Sequence, residues 1–186
     1  MAISLEKGQR IEVGLSQVGV GLGWDPNTND TGEDFDLDAS AFMLGSAGKL
    51  TDDRYFVFYN NPKSPDDAVE SMGDDRTGGN SKDGDDETIK VDLTKVSKGI
   101  DQIVFVASIY HYQERKQNFG QVRNAYIRIY NSLTNEEIAR YDLDEDFSIE
   151  TAVEFGRLYR RGSEWKFEAM GIGSRDGLQG LLNKYQ

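Results

Sequence analysis

The segment Asp34-Phe-Asp-Leu-Asp-Ala-Ser alternates carboxylate and apolar side chains with a period of two. An extended strand sorts this pattern cleanly, with Asp34, Asp36 and Asp38 on one face and Phe35, Leu37 and Ala39 on the other. Carboxylates two residues apart then stand roughly 7 Å from one another in a row. The apolar face needs a core, and that core fixes the row in place. Short runs of the same kind recur along the chain: RIEVGLS, VGVGLGW, YFVFYN, TIKVDL, QIVFVASIY, AYIRIYN, EIARYDL and EWKFEAMGIG. Clusters of Gly, Asn and Asp separate them. Some nine or ten strands so spaced predict a mostly β chain folded as an antiparallel β-sandwich. Two segments read as short peripheral helices. In residues 148–159, Ser148 is placed as N-cap and Ile149, Ala152, Val153 and Gly156 share one helical face. Residues 176–185 read as a short closing helix, and residues 113–120 as a connection or single turn. Residues 61–86 form the longest expected loop. No internal repeat or domain boundary is visible, so residues 1–186 read as one domain.

Charge is concentrated rather than spread. Residues 25–38 hold six acids and no base, and residues 74–87 hold six acids with Arg76 and Lys82, so two windows carry −10 of the net −12. A negative chain is repelled by a phosphate backbone, which argues against nucleic acid. No apolar run is long enough for a membrane span, and MAISLEKGQR lacks a signal-peptide core. These features predict no membrane insertion, and the lack of Cys is compatible with a cytosolic location. The absence of Cys excludes a disulfide framework, a thiolate metal site and cysteine catalysis.

Clusters of oxygen ligands suit hard cations. Calcium accepts six to eight oxygens in irregular geometry, whereas magnesium demands a strict octahedron and keeps its waters. Zinc or copper would call for imidazole or thiolate, and His111 is the only histidine. Gly73, Gly78, Gly79 and Gly84 allow the second acidic window to fold tightly. The resulting expectation is a cation site made of an acidic strand and an acidic loop. Asp25, Asn27 and Asn29 match the first EF-hand positions, but Asp30 stands where that loop needs Gly and Asp36 where it needs Glu. The bland reading, in which the acids only keep the chain soluble, applies well to one such loop and less well to two. Asp34 and Asp36 would also suit a metal-dependent phosphoester hydrolase, which is the alternative reading. No nucleophile or phosphate-binding motif accompanies them, and the chain is expected not to be an enzyme. Trp24, Phe119 and Trp165 read as core, and His111 as structural or exposed.

The blocks GLGWD, DFDLDASAFML, FYNN, GDDRTG followed by DGDDE, RKQNFGQVRNAYIRIYN, ARYDL, ETAVEFGRLYR and EWKFEAMGIG occur in that order. Together they resemble the TerD family of tellurium-resistance and stress-response proteins, from about residue 3 to residue 180. The resemblance implies a single TerD-like β-sandwich that binds Ca2+, commonly two ions, through acidic loops at one end. It also implies a cytoplasmic bacterial protein acting with other proteins of a stress-response system, with no established enzymatic activity. Carried onto this chain, the family's ligand positions are Asp25, Asp34, Asp36, Asp38, Asn60, Asn61, Asp74, Asp75, Asp83, Asp85, Asp86 and Glu87. Asp36, Asp74, Asp83 and Asp85 are the foremost of these. Reducing tellurite calls for thiols or a redox cofactor, and an acidic surface repels an oxyanion. The residues therefore favour a calcium-linked sensor or scaffold over direct handling of tellurium.

Overall fold

A computed structural model describes residues 2–28, 32–73, 84–143 and 147–186. The described residues form twelve strands and two helices. The strands are β1 (Ile3–Ser4), β2 (Arg10–Glu12), β3 (Gln17–Gly23), β4 (Leu37–Leu44), β5 (Phe56–Val57), β6 (Val69–Ser71), β7 (Glu87–Asp92), β8 (Gln102–Ile109), β9 (Tyr126–Asn131), β10 (Glu137–Asp142), β11 (Ala152–Arg161) and β12 (Glu164–Ser174). The helices are α1 (Tyr112–Arg115), a single turn, and α2 (Gly177–Tyr185). The strands make two six-stranded sheets, ordered β1-β10-β9-β3-β7-β6 and β2-β12-β11-β8-β4-β5. Every pairing is antiparallel except β1 with β10. The expected sandwich is therefore the observed fold.

Alternation builds the core. Val18, Val20 and Leu22 of β3 face Leu37, Ala39, Ala41 and Met43 of β4 across the sandwich, and all seven are buried. Asp38 and Ser40 take the opposite parity, as the sequence predicts. Phe42 and Leu44 continue that outer face and are buried there with Phe56, Val104, Val106 and Ala152. Leu181 and Tyr185 of α2 cover this second, smaller core. Trp24 and Phe119 are buried as expected, and Trp165 is partly buried against the same core. Among the described residues, no helix is long and apolar enough to cross a membrane.

The helix expected over 148–159 is instead the long strand β11. A bulge between Glu154 and Gly156 inserts Phe155 as an extra residue in the ladder with β8 and β12. The bulge shifts the inward-facing phase, so Phe155 and Leu158 enter the same core three positions apart. That spacing imitates a helical stripe. Ile149, assigned to the apolar face, is nearly half exposed. The expected 61–86 loop is also interrupted, because Val69–Ser71 pairs with β7. Besides β11, the short strands β1 and β6 escaped the sequence pattern, since two or three residues are too few to show a period. The closing helix at 177–185 falls within the region expected for it, and the single turn at 112–115 overlaps the connection expected over 113–120 but starts one residue earlier.

Candidate functional site

Strand β5 pairs with β4 through only two residues, Ala41↔Val57 and Phe42↔Phe56. The edge of β4 before Ala41 is left open to the neighbouring corner of the other sheet. There Glu87, the first residue of β7, reaches between the sheets and accepts the Ala39 N–H at 2.5 Å. The space beside this bridge is a pocket of about 320 Å³ lined by Asp38, Tyr59, Asn60, Ser71, Gly73 and Glu87, among others. Asp38 and Glu87 come from opposite sheets, and both are buried, as is Asp36. Partial burial first, and then the negative charge of Asp38 and Asp36, raise the Tyr59 hydroxyl pKa above its ordinary value.

The expected ligand positions thus separate into groups. Asp38, Asn60 and Glu87 meet at the pocket, with Asp36 beside it. Asn61 commits its side-chain amide to the turn, donating to the carbonyls of Arg54 (3.0 Å) and Phe56 (2.7 Å). Asp25 is exposed and accepts from Asn124 Nδ2 at 2.6 Å. Asp34 is exposed ahead of the strand, which begins at Leu37 rather than at Asp34. Asp86 accepts the Trp24 N–H at 3.0 Å. Asp85 points away, onto the outer face of the first sheet, where Arg128 Nε and Nη2 each lie 2.7 Å from its Oδ2. Asp74, Asp75 and Asp83 lie outside the described residues.

Several residues that hold these segments were not singled out as site residues. The Gln117 amide, buried, donates to the carbonyl oxygens of Glu33 (2.9 Å) and Asp34 (3.2 Å). Arg115 adds a bond to Asp34 O and an ion pair to Glu33 at 3.0 Å. These contacts take the place of strand pairing ahead of Leu37. A polar residue in a polar run gives no sequence signal of burial, so only its membership in the RKQNFG block could have flagged Gln117. Gln117→Leu should cost about 0.5–1.5 kcal/mol, because each carbonyl loses one of its two donors and keeps the other, Asn27 on Glu33 and Arg115 on Asp34. Thermal melting would measure this, and an unchanged melting temperature would contradict it.

Among the described residues, no group of three or more Asp, Glu, His or Cys side chains comes together as a metal site. The donor chemistry does suit a hard cation. The described polar lining is carboxylate, amide, hydroxyl and backbone oxygen, without Lys, Arg or His.

Comparison with known proteins places this architecture. The TerD domain matches residues 1–185. General stress protein 16U of Bacillus subtilis (strain 168) is 50% identical over 100% of this chain and 97% of its own length. Tellurium resistance protein TerD of Serratia marcescens is 48% identical, again over 100% of this chain and 97% of its own. The crystal structure of a homologue of the telluride resistance protein (TerD) from Streptomyces coelicolor A3(2) shares the fold. Its TM-score is 0.75 at 22% identity, covering 91% of this chain and 96% of that one. The chain belongs to the TerD domain family of tellurium-resistance and general stress proteins.

Proposed function

We propose that this member of the family is a cytoplasmic calcium-binding sensor or scaffold, acting with other proteins of the stress-response system. The observation that carries the reading is the pairing of two buried carboxylates, Asp38 and Glu87, one from each sheet, in a pocket lined by oxygen donors. Oxygen donors converging from two sheets are the ligand set that a hard divalent cation prefers. Such an ion would be held by Asp38, Glu87 and Asn60, with Asp36 beside them. Gly73 and Glu87, the residue just before the second acidic window and the last residue of it, both line this pocket. Ion binding would therefore link the two sheets to that window, which is the coupling a sensor needs.

Calcium at 100 times its dissociation constant should raise stability by about 2.7 kcal/mol, and magnesium by much less. Thermal melting after chelator treatment, with and without each ion, measures this. Asp38→Asn and Glu87→Gln should each remove most of the calcium-dependent shift. A melting curve indifferent to calcium would overturn the reading. In this reading the protein works by binding, so turnover of a generic phosphoester by the calcium-loaded chain would favour the hydrolase alternative instead.

A further inference from the structure

A second pocket opens beside the first, on the outer face of the second sheet. It has a volume of about 310 Å³ and is walled by Tyr59, Tyr110, His111, Glu114 and Leu178, with Asp38 among its lining residues. Four separate pieces of chain build it: the start of β4, the turn after β5, the end of β8 with α1, and the start of α2. The Tyr59 and Tyr110 rings meet edge to face, 5.9 Å apart at 88°, so they form a right-angled corner. His111 stacks on Tyr110 with centroids 3.9 Å apart, and its Nδ1 lies 2.6 Å from Glu114 Oε2. That places a carboxylate at the rim. The backbone is committed to this arrangement, since His111 and Lys116, which flank α1, both adopt the left-handed conformation at φ 51° and 53°. Non-glycine residues adopt it at a cost and only where their surroundings enforce it.

An aromatic corner with a carboxylate at its mouth attracts cations, because ring faces carry negative potential. The molecule already uses one ring in this way: the Arg115 guanidinium carbon sits 5.8 Å from the Tyr110 centroid. The Arg115 charge is offset by Glu33, 3.0 Å away, so it does not close the pocket to a second cation. The net charge of −12 adds to the attraction and disfavours anions. The volume lies at the lower end for ligand pockets, suited to a small group.

We infer that this pocket binds a guanidinium or alkylammonium group, either as a free organic cation or as the side chain of an Arg or Lys on a partner protein. It shares Asp38 and Tyr59 with the acid-lined pocket but does not depend on calcium being bound there.

His111 is the only histidine, so its imidazole Cε1 proton gives a single reporter signal in a proton NMR spectrum. Titration at constant pH with methylguanidinium should shift that signal to saturation, with a dissociation constant on the order of 1 mM. N-methylurea, neutral and of similar shape, should not. Tyr59 is half exposed, so its variants should fold. Tyr59→Ala should weaken binding about five-fold, whereas Tyr59→Phe should retain it. Repeating the titration with a blocked Gly-Arg-Gly peptide separates the two sources. Tighter binding of the peptide assigns the pocket to a partner's side chain, and equal or weaker binding assigns it to a free cation. The inference is overturned if methylguanidinium gives no saturating shift, if N-methylurea gives the same one, or if Tyr59→Ala binds as well as the parent. Running the series in excess calcium and again in chelator keeps this outcome separate from the calcium reading, which is scored by melting.

Discussion

Asp85→Ala should lower the unfolding free energy by about 3–5 kcal/mol, the loss expected when one partner of a buried ion pair is removed. The side chains of Asp85 and Arg128 are 8% and 10% exposed, and Arg128 engages the carboxylate through Nε and Nη2, with the Tyr126 hydroxyl donating at 3.0 Å. Sequence makes room for this arrangement through Gly19, Gly21 and Gly23, which share the outer face of β3. The Tyr130 ring lies over Gly19, the Asp85 carboxylate over Gly21 and the Tyr126 ring over Gly23. Arg128 and Arg140 then stack on those rings, 4.1 and 4.0 Å from the centroids of Tyr130 and Tyr126. A Cβ at residue 21 would collide with Asp85, so Gly21→Val should reproduce the lesion without touching either charge. Replacing both charges, as Asp85→Leu with Arg128→Met, should recover much of the loss, because no buried charge is left alone. Urea unfolding of the variants decides the matter; a loss under about 1 kcal/mol for Asp85→Ala would mean that the pair behaves as an exposed one.

This pair also marks the limit of what the sequence reveals about the site. Asp85, Asp86 and Glu87 are adjacent and chemically alike, and nothing local separates them. The fold sends Asp85 to the outer face, Asp86 to the backbone of Trp24 and Glu87 between the sheets. Arg128 lies 43 residues from Asp85, so their meeting is set by the order of strands rather than by spacing. By contrast, the parity of residues 35–39 was legible, because alternation is a local property that one buried face enforces. Strand β11 was misread for the converse reason. Its bulge breaks the local period, and only the neighbouring strands identify it. The aromatic corner shows the same limit, since Tyr59 and Tyr110 belong to segments whose pairing no local pattern records.

The second large effect is expected at the C-terminal helix. Glu154, only 1% exposed on β11, receives the Tyr185 hydroxyl and two bonds from Lys184 Nζ, at 3.0 and 3.1 Å. Tyr185 also packs on Phe42, with centroids 5.0 Å apart, so this carboxylate anchors the end of α2 over the second core. Glu154→Ala removes the acceptor from a buried hydroxyl and should destabilise the protein by about 1–3 kcal/mol, with α2 the first element to loosen. Burial, and then the Glu154 carboxylate, push the Tyr185 pKa well above its ordinary value near 10. The sign follows: a group whose pKa is higher folded than unfolded stabilises fully below the unfolded value, and loses that contribution as pH climbs toward the folded one. Stability should therefore fall as pH rises above about 10. Burial and Asp85 raise Tyr126 in the same direction, so both residues contribute to the slope. Tyr185→Phe should flatten its share while Tyr126, Tyr130 and Tyr59, all raised in the same direction, retain the rest. Urea midpoints measured between about pH 8 and pH 11 test this, and an identical slope in Tyr185→Phe would show that the hydroxyl does not control the alkaline limit of the fold.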